Sequence, residues 1–205
     1  MLKEMTLEGF AEAVTSLEPV PGGGSVSALA GALAAALAAM VASLTLKKEQ
    51  YADRTPLMQR LREEAGQLQD ELLRAVDQDA ESYRQVLAAF RLPKSTDEEK
   101  HTRGKAIQTA FRHATEVPLQ VAEAALKALE LAGQAARRGN PDMITDAGVG
   151  VLLARSAALG ALMNAEFNLS SIKDRDLAKD LEAKIAHVKQ TTLNKEAEIL
   201  ATLKI

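Results

Sequence analysis

The chain alternates between helices with a narrow apolar stripe and helices that are apolar almost all round. Phe10, Val14 and Leu17 share one face behind Thr6, which predicts a short first helix over Leu7–Leu17. From Val26 to Leu46 there is no charged residue and alanine dominates, so the segment from Ser25 to Leu46 reads as a helix buried on most sides. Lys47 to Thr55 is polar and ends at Pro56, a residue suited to a first helical turn. A long helix follows to Arg91, where Leu92-Pro93 stops it. Ser95 to Asp97, with Glu98 and Glu99 behind them, open the next helix. It is expected to reach Arg138 with a kink at Pro118. Gly139-Asn140-Pro141 is a turn. A second poorly charged helix covers Asp142 to Leu169, and a last one runs from Asp174 to Lys204 with Leu177, Leu181, Ile185 and Val188 on its stripe. No strand alternation or repeat occurs. The pattern predicts an all-α, mostly antiparallel helical bundle, a single domain over 1–205, with two central helices.

Composition sharpens this picture. Hydrophobic residues make up 47% of the 205, yet aromatics are only 3% and tryptophan is absent, so the core must be alanine and leucine. The net charge of −3 provides no basic field for nucleic acid. Cysteine is absent, which rules out disulfides, thiolate zinc sites and thiol catalysis in this chain and fits a cytoplasmic location. The uncharged helix is long enough to cross a bilayer. However, its alanine-rich make-up and the preceding Glu4, Glu8, Glu12 and Glu18 favour a soluble core helix over a membrane partner or a signal peptide. Two such helices in one modest bundle leave apolar surface uncovered, which predicts a homodimer.

Three places carry candidate chemistry. Gly22, Gly23 and Gly24 precede Ser25, a good N-cap. Such a loop either brings backbone N–H groups to an anionic or carbonyl-bearing ligand or is a tight turn between packed helices. On the long helix, Leu72, Val76, Tyr83, Val86 and Phe90 advance by alternating steps of four and three, and the step after Val76 falls on Asp79. A carboxyl on an apolar seam is costly unless paired, protonated or opened to a cleft, and such a place also tunes it for acid/base work. Asp77 points off the seam. The third place is the segment from Asn140 to Leu169. Asn140, Asp142, Thr145 and Asp146 crowd a helix start, where capping accounts for some of them. Arg155 stands alone in an apolar run and calls for an anion, either an aspartate such as Asp79 or a ligand carboxylate. Asn164 and Asn168, four apart, share a face and suit either a polar ligand or a bridge to a neighbouring helix. Lys47 and Lys48 read first as helix caps and second as anion binders. His101, His113 and His187 stand apart on polar faces, so no metal site is expected.

The stretch PVPGGGSVSALAGALAAALAAMVASLT resembles the opening motif of the formimidoyltetrahydrofolate cyclodeaminase / methenyltetrahydrofolate cyclohydrolase family. The similarity continues through VDQDAESY, LPKSTDEEK and NPDMITDAGVGVLLARSAALGALMNAEFNL, covering nearly the whole chain in the family's order. The resemblance implies a helical bundle that dimerises and acts on the carbon between N5 and N10 of tetrahydrofolate. It implies no cofactor beyond the folate substrate. It places the acid/base role on Asp79 and folate binding on Gly22, Gly23, Gly24 and Ser25. It also points to Lys48 and the turn from Asn140 to Asp146 as cleft-lining. Lys47 stands where relatives often have glycine, and Glu49 where they have a second lysine. The chain lacks the formiminotransferase domain of bifunctional relatives, which tilts the expectation toward cyclohydrolase. The competing expectations are a non-catalytic helical dimer that binds a folate or another small molecule, and a membrane-associated helical protein.

Overall fold

The computed structural model describes residues 1–203. Six α-helices carry the fold: α1 (Leu7–Thr15), α2 (Gly23–Leu46), α3 (Thr55–Arg91), α4 (Asp97–Arg138), α5 (Ile144–Leu169) and α6 (Arg175–Thr202). Short 3-10 turns cover Leu2–Glu4, Glu49–Arg54 and Pro141–Met143, and no strand occurs among the described residues. The end expected for the last helix, at Lys204, lies outside the described residues.

The start signals act locally as their chemistry dictates. Thr6 accepts the Gly9 N–H at 3.1 Å to cap α1. Thr96 and Glu99 cap α4 reciprocally, the Thr96 hydroxyl accepting from Glu99 N and the Glu99 carboxylate from Thr96 N. Ser25 is not the cap of α2. That helix begins two residues earlier, at Gly23, with Gly22 as N-cap, which places Ser25 inside the first turn with its side chain free for other work.

Helices pack antiparallel, as the residues that meet show. Gly24 lies against Asp79 and Gly31 against Leu72, which fixes α2 against α3; Ser27 meets Gly160, which fixes α2 against α5. Asn168 reaches Ala114 while Gly150 meets Ala132, so α5 runs back along α4. The small side chains of α2 and α5 permit this closeness. A Cβ on Gly160 would collide with the Ser27 hydroxyl. Both central helices have the length and hydropathy to cross a membrane, but here they form the middle of the bundle. Ser27, Ser43 and Thr45 satisfy their hydroxyls on carbonyls four residues back in α2.

Two packing expectations are corrected. α1 has no buried residue: Phe10 touches the core, but Leu7 and Leu17 are fully or nearly fully exposed. The seam of α3 belongs to the main core up to Val76, and Val86 joins a small second core with Ala89, Ala110 and Ala114. Tyr83 and Phe90, by contrast, are partly exposed and face a cleft rather than the interior.

Candidate active site

The cleft has a volume of about 400 Å³ and lies where the start of α2 meets the second half of α3, the end of α5 and the middle of α4. Its lining includes Gly22, Gly23, Gly24, Asp79, Ser82, Asn164 and Asn168, with Tyr83, Phe90, Phe111 and Phe167 as aromatic walls. The chain has only two tyrosines and four phenylalanines, and four of these six rings are gathered here. Phe90 and Phe111 meet edge to face at 6.0 Å between centroids. Asp79 is the only charged side chain in the lining.

One glycine of the run, Gly24, is explained by what touches it. None of the three glycines has positive φ, so no left-handed turn demands them. At Gly24 a Cβ would overlap the Asp79 carboxylate. The anion at the N-terminus of α2 is therefore the protein's own Asp79, brought within reach because position 24 has no side chain. At Gly23 a Cβ would meet only the Asn164 amide, at an ordinary 3.6 Å.

Asp79 is held in a balance of opposing effects. Burial pushes its carboxyl above the ordinary value of 3.8, and the Ser25 hydroxyl, then the Ser25 backbone N–H, pull it back. The Ser25 Oγ lies 2.9 Å from Asp79 Oδ2 and 3.1 Å from the Val76 carbonyl oxygen. One hydroxyl has one proton, so the two acceptors serve two protonation states. When Asp79 is ionised, Ser25 donates to it. When Asp79 carries the proton, it donates to Ser25, which turns its own proton to the Val76 carbonyl. The site thus accommodates a carboxyl that gains and loses a proton without leaving either form unpartnered.

Each asparagine is fixed by a backbone carbonyl, Asn164 within α5 and Asn168 across to α4. Asn164 Nδ2 donates to the Gly160 carbonyl at 2.9 Å. Asn168 Nδ2 donates to the Ala114 carbonyl at 2.7 Å. The reason lies four residues further along α4, where Pro118 has no N–H to give Ala114. The α4 helix continues through Pro118 as one element, and Asn168 satisfies the carbonyl that proline leaves free. Among the described residues neither asparagine Oδ1 accepts a hydrogen bond, so both remain available to a ligand.

The remaining candidate residues lie elsewhere. Arg155 does not reach Asp79. Its Nε lies 2.8 Å from Glu196 Oε2 on α6, and its side chain is 40% exposed, so the charge it needs comes from a helix that sequence spacing did not connect to it. Lys48 is exposed beyond the far end of α2. Asn140 is buried at that same far end, where its N–H donates to Thr45 Oγ1 at 2.8 Å and its Oδ1 accepts from Asp142 N. It is a cap and a tie between α2 and the turn into α5. Asp146 follows it in the first turn of α5. Gly24 and Thr45 are 21 residues apart on one helix, about 32 Å. Within this chain, Lys48, Asn140 and Asp146 therefore do not line the cleft that holds Asp79. All three histidines are exposed. Asp77, half-buried, accepts the Leu2 N–H at 2.6 Å and holds the N-terminal turn against α3. The aromatic wall is the part that sequence reasoning missed. The signal available was the spacing of Tyr83 and Phe90 after Asp79, together with Phe167 between two asparagines.

The chain has relatives along its whole length. Residues 6–187 match the formiminotransferase-cyclodeaminase family. The methenyltetrahydrofolate cyclohydrolase of Methylorubrum extorquens is 37% identical over 185 residues, covering 88% of this chain and 89% of that protein. The formimidoyltransferase-cyclodeaminase of Mus musculus is 32% identical over 202 residues, covering 98% of this chain but 36% of the mouse protein. The crystal structure of formiminotetrahydrofolate cyclodeaminase from Thermotoga maritima matches with a TM-score of 0.89 at 25% identity, over 100% of this chain and 98% of that one. On sequence and architecture together, the chain belongs to the formiminotransferase-cyclodeaminase family.

Proposed function

We propose that this protein is a folate one-carbon enzyme that hydrolyses methenyltetrahydrofolate, with Asp79 as its acid/base residue. The observation that carries the reading is the place of Asp79: one carboxyl in an aromatic cleft, partly desolvated, with a hydroxyl that serves both of its protonation states. The substrate is a flat heterocycle with a cationic amidinium carbon between N5 and N10. Aromatic walls suit its rings, and the free Oδ1 atoms of Asn164 and Asn168 suit N–H groups on its edge. The cationic carbon favours an adjacent carboxylate.

In the hydrolysis, water attacks the methenyl carbon and Asp79 takes a proton from it. The C–N5 bond then breaks, N5 takes the proton back from Asp79, and 10-formyltetrahydrofolate leaves with net release of one proton to solvent. The second reading uses the same groups in ring closure. N10 attacks a formimino carbon, ammonia departs, and Asp79 moves the protons. The likeness to the Thermotoga maritima cyclodeaminase supports that reading, and the higher identity to a cyclohydrolase of similar length favours the first. A binder needs only the carboxylate against the cationic carbon, and the second acceptor that serves the protonated form favours a catalyst.

The experiment is turnover of methenyl- and formimino-tetrahydrofolate by the purified protein, side by side. Loss of methenyl absorbance without need of a formimino substrate supports hydrolysis. Ammonia release from the formimino compound alone supports the second reading. Binding of both without turnover would make the protein a binder and overturn the proposal.

We further propose a homodimer built on the outer faces of α2 and α5. Val26, Leu33 and Met40 are exposed at steps of seven on α2, and Val149, Leu152 and Met163 are exposed on α5. Both helices are apolar all round, so the bundle covers one side of each and leaves the other to a second copy.

A further inference from the structure

We propose that Arg103 is the tail-carboxylate subsite of the cleft, the residue that recognises the glutamate end of a folate; this rests on the function proposed above. The lining itself contains no cation, because Asp79 is its only charged side chain. A folate nevertheless carries carboxylates at the end remote from its reacting carbon, and these need a partner at the outer end of the cleft. α3 lays out the distance: Asp79 and Phe90 are eleven residues apart, about 16 Å along the axis. With the reacting carbon at Asp79, the aromatic linker runs past Tyr83 toward Phe90, and the tail emerges there.

Arg103 stands at that point. Its guanidinium lies 5.5 Å from the centroid of the Phe90 ring, on α4 two turns before Phe111. Its Nε and Nη2 donate to the Phe90 carbonyl at 3.3 and 3.2 Å, which orients the group and leaves its remaining N–H donors uncommitted among the described residues. Arg103 is half-buried and has no carboxylate partner among the described residues. Arg84 lies 3.5 Å from Glu81 and Lys189 lies 3.1 Å from Glu166, whereas Arg103 is set against the Phe90 ring. An unpaired guanidinium, fixed on the outermost ring of an aromatic wall, matches a carboxylate in geometry and charge.

The test compares two substrates, methenyltetrahydrofolate and methenyltetrahydropteroate, which differ only in the glutamate. The readout is the ratio of their kcat/KM values. The wild type is expected to prefer the folate. Arg103→Gln should lower that preference about tenfold, equivalent to about 1.4 kcal/mol, and Arg103→Lys should retain part of it. Two results would overturn the subsite: a preference in Arg103→Gln equal to that of the wild type, or an equal loss on both substrates, which would mean that Arg103 serves only to hold Phe90. A wild type inert toward both compounds would instead overturn the function proposed above, and the subsite with it. Measuring the pteroate compound on the wild type keeps the two failures apart.

Discussion

At the scale of single residues, the site turns on how Asp79 holds its proton. The folded protein keeps that proton to higher pH than the unfolded chain, where it leaves near 3.8. Stability must therefore fall as pH rises from 3.8 through the folded value, and the loss is complete above it. Asp79→Asn removes this loss. The variant should melt at a higher temperature than the wild type at pH 7, and the gap should close as pH falls below 3.8. A variant that melts lower than the wild type at pH 7 would contradict the burial argument. Ser25 acts in the other direction, since its hydroxyl favours the carboxylate. Ser25→Ala should leave Asp79 harder to ionise and move the acid limb of the pH–rate profile to higher pH. An unmoved limb in an active variant would show that the 2.9 Å contact has no electrostatic weight.

At the scale of elements, the clearest dependence runs between α4 and α5. Pro118 frees the Ala114 carbonyl and Asn168 takes it, so the two residues form one device. Asn168→Ala leaves that carbonyl without its partner and should cost about 1–3 kcal/mol in urea unfolding. Pro118→Ala supplies the missing N–H, and in that background the same Asn168→Ala change should cost less. A double-mutant cycle with no coupling would refute the link. This pair also marks the boundary of what the sequence discloses. Helix order, the cap at Thr96 and the inward turn of Asp79 follow from spacing within one helix, and they were legible. The asparagine pair was visible as a shared face, but its partner depends on a proline in another helix. Arg155 was readable as a charge in need of an anion, yet Glu196 lies on α6, and no periodicity points there. Lys48, Asn140 and Asp146 lie close to other motif residues in sequence, and a helix of 24 residues carries them to the opposite end of the bundle. Periodicity assigned Tyr83 and Phe90 to the core because it reports a face, not what that face meets. The structure makes that face a cleft wall.

At the scale of the whole molecule, two helices that are apolar all round set both the architecture and its unfinished surface. Their inner faces pack through small residues closely enough to bring Gly24 onto Asp79. Their outer faces leave Leu33 46% and Met163 69% exposed. Light scattering at micromolar concentration should give the mass of a dimer, and Leu33→Glu should shift it toward the monomer. A wild type that scatters as a monomer would contradict the assembly. The exposed face borders the cleft, since Met163 lies one turn before Phe167 of the cleft wall and both are exposed. The central claim is that the carboxyl of Asp79 moves the protons of the reaction, and the most direct test is the kcat of Asp79→Asn on methenyltetrahydrofolate, with folding confirmed by circular dichroism. The account predicts a fall of about 10²–10⁴ with the fold intact. A folded Asp79→Asn protein that turns over at the wild-type rate would contradict it.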